Sequence, residues 1–231
     1  MNLKNRSITI WGDSILKGII RDDTAEGYRV LDSNCVNRFI ASTGASIQNR
    51  SSFGMTTMKA LERISRSVQK RTPQEDEIIL IEFGGNDCDF MWKEVSELPH
   101  AGHLPKTPIT VFMKNMQSII DTYISRNLTP LLMTLPPLEP NRYLDWISRG
   151  LSRVNILNFL GDANRIYRWQ EMYNDAIVDI ARANNLRLID VRRRFLESNH
   201  CTDLICDDGI HPNEQGHTLM HQAFMDYIHA C

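Results

Sequence analysis

The sequence predicts an α/β fold, a three-layer α/β/α sandwich around a mainly parallel sheet of about five strands. Short apolar runs rich in β-branched residues recur along the chain, and segments with helical spacing of apolar residues separate them. No internal repeat or low-complexity segment breaks this alternation. Because strands and helices that alternate are joined by right-handed crossovers, they build a parallel sheet covered on both faces.

Chain length and net charge limit the number of domains and the kinds of partner. The 231 residues, 42% of them hydrophobic, are enough for one buried core, so we expect a single domain over residues 1–231. The 26 basic and 28 acidic residues give a net charge of −2, which argues against nucleic acid as a partner. The basic run Arg192-Arg193-Arg194 is better explained as a solvated helix face.

Five apolar runs are predicted to be strands. They are residues 7–11, 35–41, 78–83, 130–135 and 186–191. Ser14, Asn86 and the Pro136-Pro137 pair follow the first, third and fourth runs. Ligands of such sheets bind beyond the carboxyl ends of the strands, so we expect these residues on one rim.

The helices follow from apolar residues that recur every three or four positions. The predicted helices are residues 55–70, 109–126 and 167–184, with a closing helix over residues 214–230. Asn213 is the expected N-cap of the closing helix. Residues 87–108 are predicted to be a long loop, and residues 142–162 a helical insertion, both placed to shape a pocket above the rim.

The amino terminus resembles neither a signal peptide nor a membrane span. The five cysteines are odd in number and scattered, a pattern typical of reduced thiols. We therefore expect a cytoplasmic protein without membrane insertion, with a removed native leader as the open alternative. The sequence does not predict the oligomeric state.

Two motifs carry the chemistry. Gly12-Asp13-Ser14 puts a serine at the end of the first predicted strand, and Asp208 and His211 lie three residues apart in a predicted turn. A serine hydroxyl attacks an ester when an imidazole removes its proton and a carboxylate orients the imidazole. Gly-Asp-Ser alone is also ordinary turn chemistry, but the combination indicates a nucleophilic serine.

The chain has no Gly-x-Ser-x-Gly, which argues against a conventional α/β-hydrolase elbow. It resembles instead the SGNH family of GDSL-type esterases and lipases, in four blocks that occur in the family's order. The matching blocks are Gly12-Asp13-Ser14, residues 49–56, Gly84-Gly85-Asn86-Asp87 and Asp208-Gly209-Ile210-His211-Pro212. The blocks span nearly the whole chain, and the resemblance implies a flavodoxin-like sheet.

The resemblance also implies a role for each residue. Ser14 is the expected nucleophile, His211 the general base and acid, and Asp208 the group that orients the imidazole. The expected oxyanion donors are the backbone N–H groups of Ser14 and Gly54 and the side chain of Asn86. The implied reaction is hydrolysis of an ester through an acyl-enzyme, with no metal or organic cofactor.

Several alternatives stay open at this point. Gly44 competes with Gly54 as the oxyanion glycine because it directly follows a predicted strand, whereas the spacing from Asn49 favours Gly54. Asp13 is expected to bond backbone N–H groups of its turn, and Asp87 to be a structural hydrogen-bonding group. A thiol at Cys88 needs its own base to be catalytic, so Ser14 has the better claim.

Two histidine pairs have spacings that suit a metal ion. They are His100 with His103 and His217 with His221, and neither pair has a third ligand at a convincing spacing. We therefore expect no metal site.

The predicted loop and insertion carry aromatic residues that we expect to line or cap the acyl pocket. They are Phe90, Trp92, Tyr143 and Trp146. The favoured substrate is a small-molecule ester with an acetyl or other short acyl group on a carbohydrate or similar alcohol. The alternatives are a lysophospholipase, an acyl-thioester hydrolase, or a non-catalytic binding protein on the same fold.

Overall fold

The computed structural model describes residues 7–22, 27–70 and 77–230. The strands in these ranges are β1 (Ser7–Trp11), β2 (Ile19–Asp22), β3 (Gly27–Val30), β4 (Ser46–Asn49), β5 (Ile78–Ile81), β6 (Leu131–Met133) and β7 (Leu188–Ile189). The helices are α1 (Ser14–Lys17), α2 (Cys35–Thr43), α3 (Thr57–Lys70), α4 (Trp92–Glu97), α5 (Ile109–Ile124), α6 (Pro140–Ile147), α7 (Arg153–Leu160), α8 (Asn164–Ala183), α9 (Val191–Leu196) and α10 (Glu214–Ala230), with a 3-10 turn at Cys201–Leu204.

The main sheet contains five strands in the order β4-β1-β5-β6-β7, and all of its pairings are parallel. This confirms the predicted sheet, and in chain order it is the 2-1-3-4-5 arrangement of flavodoxin-like folds. The strand order reverses between β1 and β5, which is where such sheets bind their ligands. Ser14 and Asn86 follow these two strands, so both lie at the switch point.

Helices cover both faces of the sheet. One face carries a core to which α3, α5 and α8 contribute, with residues such as Ile64, Met116 and Ile177 fully buried. The other face carries a core built with α2, α9 and α10, including Phe39, Phe195 and Phe224. At roughly 25 cal/mol for each Å² of apolar area removed from water, these two layers are the main driving force for folding.

The predicted strand over residues 35–41 is wrong, because this segment lies in helix α2. Asn34 caps that helix by accepting hydrogen bonds from the backbone N–H groups of Val36 and Asn37. Gly44 ends it in a left-handed conformation with φ of 67°. The strand that pairs with β1 is β4 instead, and Gly44 therefore follows a helix rather than a strand.

A third cluster lies over the rim of the sheet. Its core comes from α4, α6, α7 and the start of α8, with Val95, Leu144 and Ile156 buried in it. The predicted loop over residues 87–108 thus contains one helix, α4. The predicted helical insertion over residues 142–162 is confirmed, because it contains most of α6 and all of α7. The antiparallel β2–β3 hairpin beside the rim was not expected. Among the described helices, none is long and apolar enough to cross a membrane.

Candidate active site

Ser14 lies at the carboxyl end of β1, as the first residue of the short helix α1. Asp13 caps this helix, because its Oδ1 accepts a hydrogen bond of 2.8 Å from the backbone N–H of Ile15. The expected turn role of Asp13 is therefore confirmed. The backbone N–H of Ser14 belongs to the first turn and has no acceptor within the helix, so it is available to a ligand at the rim.

The structure brings Ser14, Asp208 and His211 together. His211 Nε2 lies 2.9 Å from Ser14 Oγ, and His211 Nδ1 lies 2.6 Å from Asp208 Oδ2. All three side chains are buried, with exposed fractions of 7%, 0% and 2%. Because an ionised carboxylate only accepts hydrogen bonds, Nδ1 carries the proton and Nε2 is left to accept the serine hydroxyl.

Asp208 is held as a carboxylate by its surroundings. Burial opposes its ionisation, but the hydrogen bond and charge of His211 and two backbone donors outweigh it, so the pKa of Asp208 is lowered. The backbone donors are the N–H groups of Ile210 and His211, both bonded to Asp208 Oδ1. The hydroxyl of Tyr28 adds a side-chain hydrogen bond. An ionised Asp208 fixes both the orientation and the tautomer of the imidazole.

Asn86 presents its amide nitrogen beside the turn that carries Ser14. Its Nδ2 donates a hydrogen bond of 2.9 Å to Asp13 Oδ2. The amide has two N–H bonds, so one remains for a ligand, and Asn86 is a wall residue of the cavity that also contains Ser14. The Asp13 carboxylate thereby sets the direction in which this amide donates.

Gly54 and Gly44 lie at opposite edges of the sheet. Ser46, at the start of β4, pairs with Ser7 at the start of β1, so Gly44 precedes the amino edge. Gly54 follows the carboxyl end of β4, on the same edge as Ser14. This placement favours Gly54 over Gly44 as a donor near the nucleophile. Its φ of 67° lies in the left-handed region, where a glycine is least strained.

Two further carboxyl groups are fully buried at this edge. Asp87 accepts hydrogen bonds from the backbone N–H and the hydroxyl of Thr57, which confirms its structural role. Glu82 accepts a bond of 3.2 Å from the backbone N–H of Asp13. Burial and then the charge of Asp13 raise the pKa of Glu82 well above its ordinary value, and burial raises that of Asp13 to about 6. No motif in the sequence indicated that Glu82 belongs to the site.

A cavity of about 150 Å³ opens from Ser14 and His211 beneath the third cluster. Phe90, Trp92 and Tyr143 line it, as the sequence suggested for an acyl pocket. Asp89 fixes two of them, because its Oδ1 accepts hydrogen bonds from Trp92 Nε1 and from the Tyr143 hydroxyl, at 2.7 and 2.6 Å. The rest of the wall contains both apolar and polar side chains, and Arg165 is among the polar ones.

Trp146 is the exception among the four aromatic residues. It is absent from the described wall of the cavity, and its ring lies edge-on to Tyr28 with centroids 5.8 Å apart. Tyr28 and Phe53 in turn contact the ring of His211, with centroids 5.1 and 6.1 Å away. Phe53 stands next to Gly54 in a family block, a signal that could have found it. Tyr28 carries no such signal.

Sequence reasoning also missed the far wall of the cavity. Phe159, Ile166 and Trp169 contribute to it from α7 and α8. Phe159 lies in the predicted helical insertion and Trp169 in a predicted helix, but neither was predicted to line a cavity. Their place in the wall depends on the packing of α7 over the rim, which the sequence of one segment does not predict.

Both members of the His217 and His221 pair contact other groups. His217 is buried and its Nδ1 accepts from the backbone N–H of Cys35, while His221 lies 3.1 Å from Ser42 Oγ. Burial lowers the pKa of His217 to about 3. Within the described ranges, no group of three or more potential ligands is placed to hold a metal ion. The Cys88 thiol donates to a backbone carbonyl, and burial raises its pKa, which keeps it protonated.

Comparisons with known proteins find relatives of one family. A family model described as the GDSL-like lipase/acylhydrolase family matches residues 10–219. The curated "GDSL esterase/lipase WDL1" of Oryza sativa subsp. japonica is 23% identical over 179 residues, which cover 76% of this chain. The chain spans about 62% of the length of that relative.

Solved structures share the fold over nearly the whole chain. A lipolytic protein of the G-D-S-L family from Veillonella parvula has a TM-score of 0.68 at 16% identity, covering 98% of this chain and 100% of its own. A mutant of Axe2, an acetyl-xylooligosaccharide esterase from Geobacillus Stearmophilus, has a TM-score of 0.68 at 20% identity, with 99% and 96% covered. Est24, a carbohydrate acetylesterase from Sinorhizobium meliloti, has a TM-score of 0.66 at 15% identity, with 98% and 99% covered.

Proposed function

Because the chain belongs to the GDSL-like lipase/acylhydrolase family, we propose that it is a serine esterase acting as a single catalytic domain through an acyl-enzyme intermediate. The observation that carries this proposal is the continuous chain of contacts from Asp208 to His211 to Ser14, at 2.6 and 2.9 Å. These distances are those of hydrogen bonds ready for proton transfer.

In the first half of the reaction, Ser14 Oγ attacks the acyl carbon while His211 Nε2 takes the hydroxyl proton. Asp208 stabilises the imidazolium that forms. His211 then gives the proton to the oxygen of the leaving alcohol, and the acyl group stays on Ser14. In the second half, water takes the place of the alcohol, and the same transfers release the acid and restore Ser14.

The tetrahedral intermediates carry a negative oxygen that needs donors fixed in advance. We assign this role to the backbone N–H groups of Ser14 and Gly54 and to the Asn86 amide. The bond from Asn86 to Asp13 supports this assignment, because it holds the amide before substrate arrives. A preorganised donor requires no rotation during the reaction, which is the main reason that such groups accelerate it.

For the substrate we propose a short acyl ester of a carbohydrate or similar alcohol, with the acyl group in the cavity. An engineered apolar cavity of similar volume in another protein holds one benzene molecule. The cavity of about 150 Å³ therefore has room for an acyl group of up to about six carbons, and little room for a fatty acyl chain. The printed names of two similar structures, a carbohydrate acetylesterase and an acetyl-xylooligosaccharide esterase, support the alcohol.

A lysophospholipase or an acyl-thioester hydrolase uses the same serine chemistry, and the acyl-length test below separates these from a short-acyl esterase. A non-catalytic binding protein on this fold is the alternative from another class. The intact contacts among Ser14, His211 and Asp208 disfavour it, because a binding protein has no use for an activated hydroxyl.

The proposal is tested by covalent labelling. A fluorophosphonate probe should modify Ser14, located by mass spectrometry of the digest, because its hydroxyl is activated by His211. Ser14→Ala should lose both the label and the hydrolysis of p-nitrophenyl acetate. The exposed Ser118→Ala, in which a serine far from the rim loses the same atom, is the control. Hydrolysis that survives in Ser14→Ala would overturn the assignment.

A further inference from the structure

Two aromatic side chains contact His211 on a side that the cavity does not use. Tyr28 and Phe53 both touch the imidazole ring, and the Phe53 ring is nearly parallel to it, at 18°. The two rings also touch each other, with centroids 5.3 Å apart. Neither belongs to the described wall of the cavity. His211 therefore stands between the cavity and a separate aromatic row formed by Phe53, Tyr28 and Trp146.

Within this row, Phe53 has the open face. The far end of the row is already engaged, because the guanidinium groups of Arg21 and Arg149 lie 4.6 and 4.1 Å from the Trp146 ring. Tyr28 is enclosed by the two other rings of the row and by His211. Phe53, by contrast, is 55% exposed. A flat apolar surface thus lies open beside the imidazole.

The chemistry of ester cleavage determines what reaches this surface. His211 Nε2 must give a proton to the leaving oxygen, so that oxygen lies within hydrogen-bond reach of the imidazole. If the acyl group enters the cavity, the remainder of the alcohol extends away from it, toward the other neighbours of His211. Those neighbours are the rings of Phe53 and Tyr28.

Resting on the function proposed above, we propose that Phe53 is a binding residue for the alcohol part of the ester, and that this alcohol is a pyranose ring. One face of a pyranose is made of C–H groups and packs on a flat aromatic ring. An open alkyl alcohol has no such face.

This subsite is also accessible in the acyl-enzyme, because the alcohol leaves first. An added alcohol that binds there competes with water for the acyl group. Its hydroxyl gives its proton to His211 and its oxygen bonds to the acyl carbon. The bond between that carbon and Ser14 Oγ then breaks, and Oγ takes the proton back from His211. The partition between water and added alcohols therefore reports on the alcohol subsite alone.

The experiment forms the acetyl-enzyme from p-nitrophenyl acetate with methyl β-xylopyranoside and methanol present at equal concentrations. The ratio of acetylated xyloside to methyl acetate is measured by NMR. The wild-type protein should favour the xyloside. Phe53→Ala should reduce that preference about 2- to 10-fold, the scale of one aromatic contact. Phe53→Tyr should keep it, as should Met58→Ala, which alters a residue of nearly equal exposure (56%).

The outcomes separate this inference from the proposed function. Without an acetyl-enzyme, the esterase proposal fails and the subsite with it. If the acetyl-enzyme forms but the wild-type protein shows no preference for the xyloside, or Phe53→Ala keeps the preference, only the subsite is overturned. Should Phe53→Ala unfold, as seen in its thermal transition, Phe53→Leu decides the same question, because it keeps apolar volume without the flat ring.

Discussion

Gly44 and Gly54 form a matched pair for testing the oxyanion site one residue at a time. Both have a φ of 67°, and a Cβ added at either would meet no atom within 4 Å. The backbone strain of an alanine is therefore the same at both positions, about 1–2 kcal/mol. The two residues differ in place, because Gly44 ends α2 while Gly54 lies on the rim with Ser14.

We expect Gly44→Ala and Gly54→Ala to lower the free energy of unfolding by similar amounts, measured in urea. Gly54→Ala alone should also lower kcat, by roughly 10- to 100-fold, because relief of the strain moves the N–H that we propose as an oxyanion donor. KM should change little, since the donor acts in the transition state. Equal kcat values for the two variants would remove Gly54 from the oxyanion hole.

Single residues also show where the sequence is informative. Ser14, Asp208 and His211 could be predicted because two short motifs define them and the chemistry requires all three. Tyr28 could not, because its contact with His211 depends on a hairpin whose packing is a long-range property. The position of Glu82 could not be predicted either, because no motif distinguishes it from other residues at the end of a strand. Its burial beside Asp13 follows from the pairing of β1 with β5.

At the scale of elements, hydrophobic pattern predicted four of the five sheet strands and four of the six helices that cover them. The error at residues 35–41 arose because a short apolar run does not distinguish a strand from a buried helix. The N-cap at Asn34 and the left-handed Gly44 mark where helix α2 begins and ends. Helix α4 was missed because its six residues, Trp92–Glu97, are stabilised by packing on α7 rather than by periodicity.

The helices over the rim should control acyl length. Trp92, at the start of α4, lines the cavity, whereas Trp146 of α6 is absent from its described wall. Replacing Trp92 removes an indole from the wall and enlarges the space next to the acyl group. We expect Trp92→Ala to shift the ratio of kcat/KM toward hexanoyl over acetyl p-nitrophenyl esters, by about 5-fold or more.

Trp146→Ala is the matched control for that shift, because it removes the same side chain from the alcohol side of His211. It should leave the ratio of hexanoyl to acetyl activity unaltered, whatever its effect on rate. The thermal transition of both variants measures their stability. An equal shift in both variants, or a shift in neither, would show that the indole of Trp92 serves as scaffold and that the acyl group lies elsewhere.

At the scale of the whole molecule, the fold buries three carboxyl groups at the edge of the sheet where Ser14 lies. Asp13, Glu82 and Asp87 are at most 1% exposed. Ionising all three in this low-dielectric region is costly. Burial is the leading cause of the raised pKa of each carboxyl group. The polar groups that hold the turn carrying Ser14 therefore reduce the free energy of unfolding at this edge of the sheet.

This arrangement predicts how stability changes with pH. The native protein holds the proton of Glu82 above its ordinary pKa of 4.5, whereas the unfolded chain releases it. A raised native pKa contributes stability that is present at low pH and lost as the pH rises. The amide oxygen of Glu82→Gln can still accept from the Asp13 N–H, and the side chain has no charge to bury. The free energy of unfolding of Glu82→Gln in urea should therefore exceed that of the wild-type protein at pH 8 by on the order of 1 kcal/mol or more, with a smaller difference at pH 5.

The exposed Glu62→Gln, which removes a carboxyl group from the surface, is the control, and its difference from the wild-type protein should not grow with pH. A difference that stays constant or shrinks toward pH 8 would mean that Glu82 is ionised in the native protein, and that the edge of the sheet supports its charge.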